Sequence, residues 1–168
     1  GKINEFQKIL SDFECIPQSV FNINDVEETG KDFEENAILK AKNAFTKTNI
    51  TSIGDDSGLI VPAINNEPGL YSARYAGVNV TDCDNRNKLI SKLKVKNLES
   101  TYAYFFCCIV AVGIKSQNEI IVCDGKIEGE VRTIERGEKG FGYDPIFYPK
   151  GYSESFAELS SLEKNKIS

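Results

Sequence analysis

Ile50-Thr51-Ser52-Ile53-Gly54-Asp55-Asp56-Ser57-Gly58-Leu59-Ile60-Val61 is the stretch around which the chain is organised. Its apolar flanks read as strand. Two carboxylates and a hydroxyl sit between glycines at what reads as a break in a sheet, where backbone and side chains can meet a ligand. Adjacent carboxylates repel unless a proton or cation lies between them, and a hard divalent ion with oxygen ligands answers that need. Mg²⁺ is the ion that most often accompanies phosphate. Taken alone, the same residues also fit a polar turn in a hairpin, so their meaning depends on the rest of the chain.

Working outward, 168 residues suit one domain, and 40% hydrophobic with 27% charged residues are globular values. No stretch approaches eighteen apolar residues and the first residues carry no basic-then-apolar pattern, so a soluble, cytoplasmic protein without a membrane partner is expected. The five cysteines, Cys15, Cys83, Cys107, Cys108 and Cys123, form no C-x-x-C pair and read as core thiols. Histidine is absent. That removes Ser-His-Asp and Cys-His nucleophiles, histidine zinc sites and imidazole shuttles, leaving general-base work to carboxylates, lysines or metal-bound water. A net charge of −5 argues against nucleic-acid polymers. An anionic ligand must then be small and met by a local cluster of cations.

Apolar positions 3, 6, 9 and 10 have helical spacing. A helix starting there directs its free amides and Lys2 toward an anion, or is simply a solvated amphipathic helix. Glu27-Glu28 is a second acidic pair. Asp32-x-x-Glu35 resembles a capping box for a helix over 33–47, with Lys40 and Lys42 off its apolar face. Beyond Val61, Pro62 interrupts the strand, residues 65–69 mark a turn, and residues 70–77 offer two tyrosines and an arginine suited to a subunit contact or a ligand rim. A weaker helix is expected over 82–94 with Leu89, Ile90 and Leu93 buried. The aromatic and β-branched run 102–114 predicts a strand covered on both faces, paired antiparallel with 119–123, and 126–135 predicts a further strand.

The most specific stretch is Gly137-Glu138-Lys139-Gly140-Phe141-Gly142-Tyr143-Asp144-Pro145. Its glycines admit close backbone approach, Phe141 and Tyr143 offer stacking faces, and Asp144 offers an acceptor for the polar edge of a base. This describes a nucleobase pocket better than a phosphate cradle, because no Gly-Lys-Ser/Thr follows. Ser160-x-x-Glu163 opens a last helix holding Lys164 and Lys166.

Gly30 to Ala41, Asp55 to Leu59, Pro68 to Gly77, Gly140 to Phe147 and Phe156 to Ser168 together resemble the successive motifs of the inosine/xanthosine triphosphate pyrophosphatase family. The resemblance implies an elongated mixed α/β fold, a twisted sheet with flanking helices in two lobes around a central nucleotide cleft, and a homodimer. It implies Mg²⁺-dependent hydrolysis of non-standard purine nucleoside triphosphates (ITP, dITP, XTP) to the monophosphate and pyrophosphate, cleansing the nucleotide pool. Residue by residue, it implies Asp56 as metal ligand and water-activating base, Glu28 as the second metal ligand, and Ser57 as a substrate contact. Gly1, Lys2 and Lys40 would meet the triphosphate, Lys164 the substrate, and Phe141, Gly142, Tyr143 and Asp144 the base. The family's first strand with its Thr-Gly-Asn, and the His-Arg that follows the serine matched by Ser168, are not among these residues. Residues 1–168 are therefore expected to be a single domain cut from a longer chain. Two other readings stay open: a metal-dependent phosphatase using an aspartate of the Asp55-Asp56 pair as nucleophile, and a non-catalytic nucleotide-binding dimer partner.

Overall fold

The computed structural model describes residues 2–116 and 119–167, the side chains of Lys2, Asn4 and Glu5 excepted. In chain order its elements are α1 (Lys2–Ile9), α2 (Phe33–Thr48), β1 (Ser52–Val61), β2 (Glu67–Pro68), α3 (Asp82–Val95), β3 (Ser100–Val112), β4 (Ile120–Arg132), β5 (Phe147–Pro149) and α4 (Ser161–Ile167). The strands form one five-stranded sheet in the order β2-β1-β3-β4-β5. β2 runs antiparallel to β1 with Ile60 opposite Pro68, and β5 antiparallel to β4 with Glu130 opposite Tyr148. β3 and β4 are neighbours whose connection is far shorter than the dozen residues a parallel crossover needs, so they form the expected hairpin. The Gly113 amide donates to the Glu119 carbonyl at 3.2 Å where it turns.

Three expectations need correction. The acidic stretch does not break the sheet: Gly54 to Gly58 lie in mid-strand of β1, and Gly54 serves packing rather than a turn. The strands expected over 119–123 and 126–135 are one, the 13-residue β4 (Ile120–Arg132), which ends before Thr133. On β3 only Ala103, Cys108, Val110 and Val112 are buried while Tyr102 is 46% exposed, so the run is not covered on both faces. Its large rings leave a half-open face that β-propensity alone could not reveal.

The chain divides into two compact units, residues 1–56 with 108–123 and residues 57–107 with 124–168. In the first, α2 begins where Asp32, in extended conformation, accepts the Glu35 amide at 2.8 Å. The Glu35 carboxylate reaches back one residue further than a strict capping box, to the Lys31 amide at 2.8 Å. The helix lies against β1 at Gly54. A methyl group there would sit 2.4 Å from the Ala37 carbonyl oxygen and 2.5 Å from the Ala41 nitrogen. These are backbone atoms of a helix and cannot step aside, so Gly54→Ala is expected to cost about 3 kcal/mol in urea unfolding. A loss below about 1 kcal/mol would show that α2 can shift.

The second unit holds the main core, in which Leu59, Val61, Leu89, Leu93, Val131 and Ile146 meet the edge-on and tilted rings of Phe105, Phe147 and Phe156. α3 starts on a full capping box between Thr81 and Asp84 that the sequence reading passed over. Its buried Asn85 donates to the Ala73 carbonyl and accepts the Ala76 amide, which ties residues 69–77 to the helix. The two tyrosines of that stretch part company. Tyr71 is 61% exposed, whereas Tyr75 is buried and donates its hydroxyl to Glu67 at 2.6 Å. Lys92 also bonds the Glu67 carboxylate, and these two partners hold its pKa below the ordinary 4.5. A depressed carboxylate contributes stability above its unfolded pKa and loses it as pH falls through the folded value. The destabilisation caused by Glu67→Gln, read by thermal melting, is thus expected in full at neutral pH and to vanish on acidification below 4.5. A penalty unchanged in acid would place the effect elsewhere.

No disulfide joins the five cysteines, and Cys108 is buried but Cys83 and Cys123 are exposed, so not every thiol belongs to a core. Among the described residues no helix is long and apolar enough to cross a membrane.

Candidate functional site

Successive strand residues face opposite ways, so Asp55 and Asp56 cannot share one cation as their adjacency suggested. Asp56 lies on the buried face with Gly54 and Gly58, the face covered by α2, while Asp55 and Ser57 are half-buried. That face decides the partners of Asp56. One oxygen, Oδ1, accepts the Lys40 ammonium at 2.9 Å and the other, Oδ2, accepts the Asn36 amide at 3.1 Å. Asn36 and Lys40 are one helical turn apart on α2, which brings both to the same strand position. The Lys40 ammonium also lies 2.7 Å from Glu28 Oε1 and donates to the Asp55 carbonyl at 3.0 Å. Lys40, which the sequence left off the apolar face, is the point on which Glu28 and Asp56 converge. Burial alone would lower its pKa, but these two carboxylates outweigh burial and raise it.

Asn36 is a site residue that sequence reasoning missed. It is 1% exposed, accepts the Gly30 amide at 2.8 Å and fixes one Asp56 oxygen. The periodicity gave no signal for it: like Lys40 one turn on, Asn36 lies off the apolar face, and it is buried because β1 covers it.

Among the described residues no group of three or more acidic, cysteine or histidine side chains is built to hold a metal ion. Two carboxylates that already share one cation are, however, the protein share that Mg²⁺ takes when substrate phosphates and water complete its shell. Glu28 and Asp56 therefore fit the ion the sequence suggested.

In the second unit, residues 137–144 form a loop closed on itself by Asp144. That carboxylate is 3% exposed, and its Oδ2 accepts the Phe141 amide at 2.9 Å and pairs with the Lys164 ammonium at 2.5 Å. Gly140 has φ +79°, and a methyl group there would lie 2.0 Å from the same oxygen, so only glycine fits. Lys164 Nζ stands 4.8 Å from the Phe141 ring centroid in cation–π contact. Two expectations change here. Asp144 is engaged by its own loop and α4, and Tyr143, 4% exposed, turns its ring into the core and donates its hydroxyl to the Ser72 carbonyl at 2.9 Å. Burial, helped by Asp82, pushes the Tyr143 pKa up and keeps that hydroxyl a donor. Phe141, 59% exposed, is the open stacking face of the loop. Gly142 is held at both ends of its backbone: its amide donates to Asp82 at 2.7 Å and its carbonyl accepts Arg86 at 2.8 Å. Gly1 and the side chain of Lys2, expected at the triphosphate, lie outside the described residues.

Fold and site together define a mixed α/β protein with a half-buried carboxylate–lysine cluster where a helix crosses a strand, and an aromatic loop pinned by an aspartate. The profile of the Ham1 family matches residues 1–168, and the chain belongs to that family. It is 44% identical over 168 residues to a dITP/XTP pyrophosphatase of Legionella pneumophila strain Lens, an alignment spanning all of this chain and 87% of that protein. A protein of the same name from Coxiella burnetii is 42% identical over 170 residues, covering all of this chain and 85% of the relative. Among solved structures, a HAM1 protein from Coxiella burnetii superposes with a TM-score of 0.91 at 41% identity, covering 99% of this chain and 86% of that one. The Staphylococcus aureus Ham1 protein does so with a TM-score of 0.88 at 46% identity, covering all of this chain and 86% of its own.

Proposed function

We propose that this chain hydrolyses non-standard purine nucleoside triphosphates, ITP, dITP and XTP, to the monophosphate and pyrophosphate. The relatives that carry the name dITP/XTP pyrophosphatase over their shared length support the substrate class. The observation that carries the chemistry is Asp56: a nearly buried carboxylate with one oxygen set by Asn36 and the other by Lys40, beside Glu28.

In this reading Asp56 orients a water for in-line attack on the α-phosphorus and accepts its proton as the new P–O bond forms. The bond from the α-phosphorus to the bridging oxygen breaks, and pyrophosphate leaves with the electron pair. Lys40 supplies positive charge to the phosphate oxygens, and Lys2 and Gly1 are assigned to the same chain of phosphates. Mg²⁺, held by Glu28 and Asp56, would neutralise charge on the phosphates when bound. Ser57 is assigned a substrate contact. Phe141 stacks on the purine, Gly142, Tyr143 and Asp144 shape its place, and Lys164, tied to Asp144, is the donor nearest the ring. A 6-oxo purine is then favoured over adenine because an amino group facing a fixed donor leaves polar groups unpaired, at about 1 to 3 kcal/mol.

The reading includes a second copy of the chain as partner. Ile120, Ile121 and Val122, successive residues of β4, are 37, 38 and 39% exposed, an apolar run suited to a subunit contact. It also places the protein in the cytoplasm. The test is pyrophosphate release from ITP with Mg²⁺ present, compared with ATP. Release of orthophosphate through a phospho-enzyme would favour the aspartyl nucleophile instead, and nucleotide binding without turnover would make the chain a non-catalytic partner.

A further inference from the structure

We propose that Asp82 and Arg86 of α3 are positioning residues for base recognition, setting the loop that presents Phe141 by holding the Gly142 amide and the Gly142 carbonyl. The inference rests on the reading of residues 141–144 as the place of the purine.

Phe141 is the most exposed ring of its loop and its amide is anchored to Asp144. The Asp144 amide also closes the turn onto the Phe141 carbonyl at 3.1 Å. The next residue has no side chain to pack, and φ +58° puts it in the left-handed region open to glycine. Its own amide and carbonyl are met by α3. Asp82 and Arg86 are four residues apart, hence on one face of the helix, and they present an acceptor to the amide and a donor to the carbonyl of one loop residue. Asp82 Oδ2 takes the Gly142 amide at 2.7 Å, and Arg86 Nη1 gives to the Gly142 carbonyl at 2.8 Å. Turning the 141–142 peptide over would break the Asp82 bond and set the Phe141 carbonyl against a carboxylate, and turning the 142–143 peptide would break the Arg86 bond.

The arginine is itself held. Its Nε donates to Glu135 Oε1 at 3.0 Å, and its side chain is 13% exposed. Glu135 thus fixes one edge of the guanidinium and leaves Nη1 for the loop, the division of labour that a planar fork permits and an ammonium does not. The helix is anchored independently through the Thr81–Asp84 capping box and through Asn85. The loop is therefore referred to the core of its unit by rigid parts, which is what a stacking surface needs if it is to meet a base without paying for ordering on binding.

The test uses Asp82→Ala, Arg86→Ala and, as a control, Asp82→Asn, which keeps an acceptor oxygen but removes the charge that favours the start of α3. Three quantities are read on the folded proteins: exchange of the Gly142 amide by NMR, KM and kcat for ITP, and inhibition by inorganic tripolyphosphate, which has no base. Both alanine variants are expected to raise KM for ITP about tenfold with kcat within about twofold, and to leave tripolyphosphate inhibition unchanged. Gly142 exchange in Asp82→Ala is expected to accelerate about tenfold or more. Asp82→Asn should stay near wild type in KM. If Asp82→Asn loses as much as Asp82→Ala, the charge acts on the helix and the inference is overturned. It is equally overturned if tripolyphosphate inhibition weakens in parallel with ITP, or if an active wild type and both alanine variants share one KM. A wild-type chain that releases no pyrophosphate from ITP overturns the functional reading, and this inference with it.

Discussion

Asp56→Asn is expected to lower the rate of pyrophosphate release from ITP by about 10³-fold while the protein stays folded. The first half follows from the role of the carboxylate. A group that accepts a proton from water in the transition state contributes about 10² to 10⁴ in rate, and an amide cannot accept it. The second half follows from geometry. The Asn oxygen can still take the Lys40 ammonium that Asp56 Oδ1 takes at 2.9 Å. What is lost is the bond from Asn36, since two amide nitrogens would face each other where Asn36 Nδ2 now donates at 3.1 Å. One unsatisfied buried contact costs about 1 to 3 kcal/mol, a few degrees in melting temperature. Continuous pyrophosphate detection with a melting curve on the same sample separates the two effects. Turnover at the wild-type rate would remove Asp56 from the mechanism.

Asp144→Ala is expected to be the most damaging substitution to stability, about 3 to 5 kcal/mol in urea unfolding. The carboxylate is 3% exposed and its Oδ2 serves two donors, the Lys164 ammonium and the Phe141 amide. Removing it strands a positive charge whose side chain is only 17% exposed, together with a loop amide. Breaking one side of such a pair is costly because the survivor stays buried without compensation. Asp144→Asn keeps an acceptor for the Phe141 amide and should lose less. Lys164→Met combined with Asp144→Ala should recover part of the loss, because the stranded charge is then gone. Equal stabilities for Asp144→Ala and wild type would mean that Lys164 finds water or another partner.

The helices were legible because their signals are local. The 33–47 periodicity, Asp32 before it, and Ser160-x-x-Glu163 before α4 each act within one or two turns, and the helices begin where they say. The β3–β4 hairpin was legible for the same reason. At β4 one strand was read as two; Gly125, between the two expected runs, sits in a continuous strand, where an added methyl group would meet nothing within 4 Å. The lysines illustrate the opposite case. Lys40 and Lys42 are indistinguishable in composition and both lie off the apolar stripe, yet Lys40 holds Glu28 and Asp56 together.

By itself the sequence determined which chemistry was open to this protein. Without histidine, proton transfer falls to carboxylates, lysines or metal-bound water, and the order of its motifs placed Asp56, Glu28 and the 141–144 loop in a single family pattern. The tertiary structure decided which groups meet. It separated Asp55 from Asp56, drew Asn36 and Lys40 onto the latter, turned Tyr143 inward, and put Asp82 on the Gly142 amide and Arg86 on the Gly142 carbonyl. The physical reason is range. Caps and periodicity depend on bonds spanning three or four residues, whereas the partners of a buried charge are set by which helix face covers which strand face, through contacts such as Asn36 to Asp56 and Arg86 to Gly142, twenty and fifty-six residues apart.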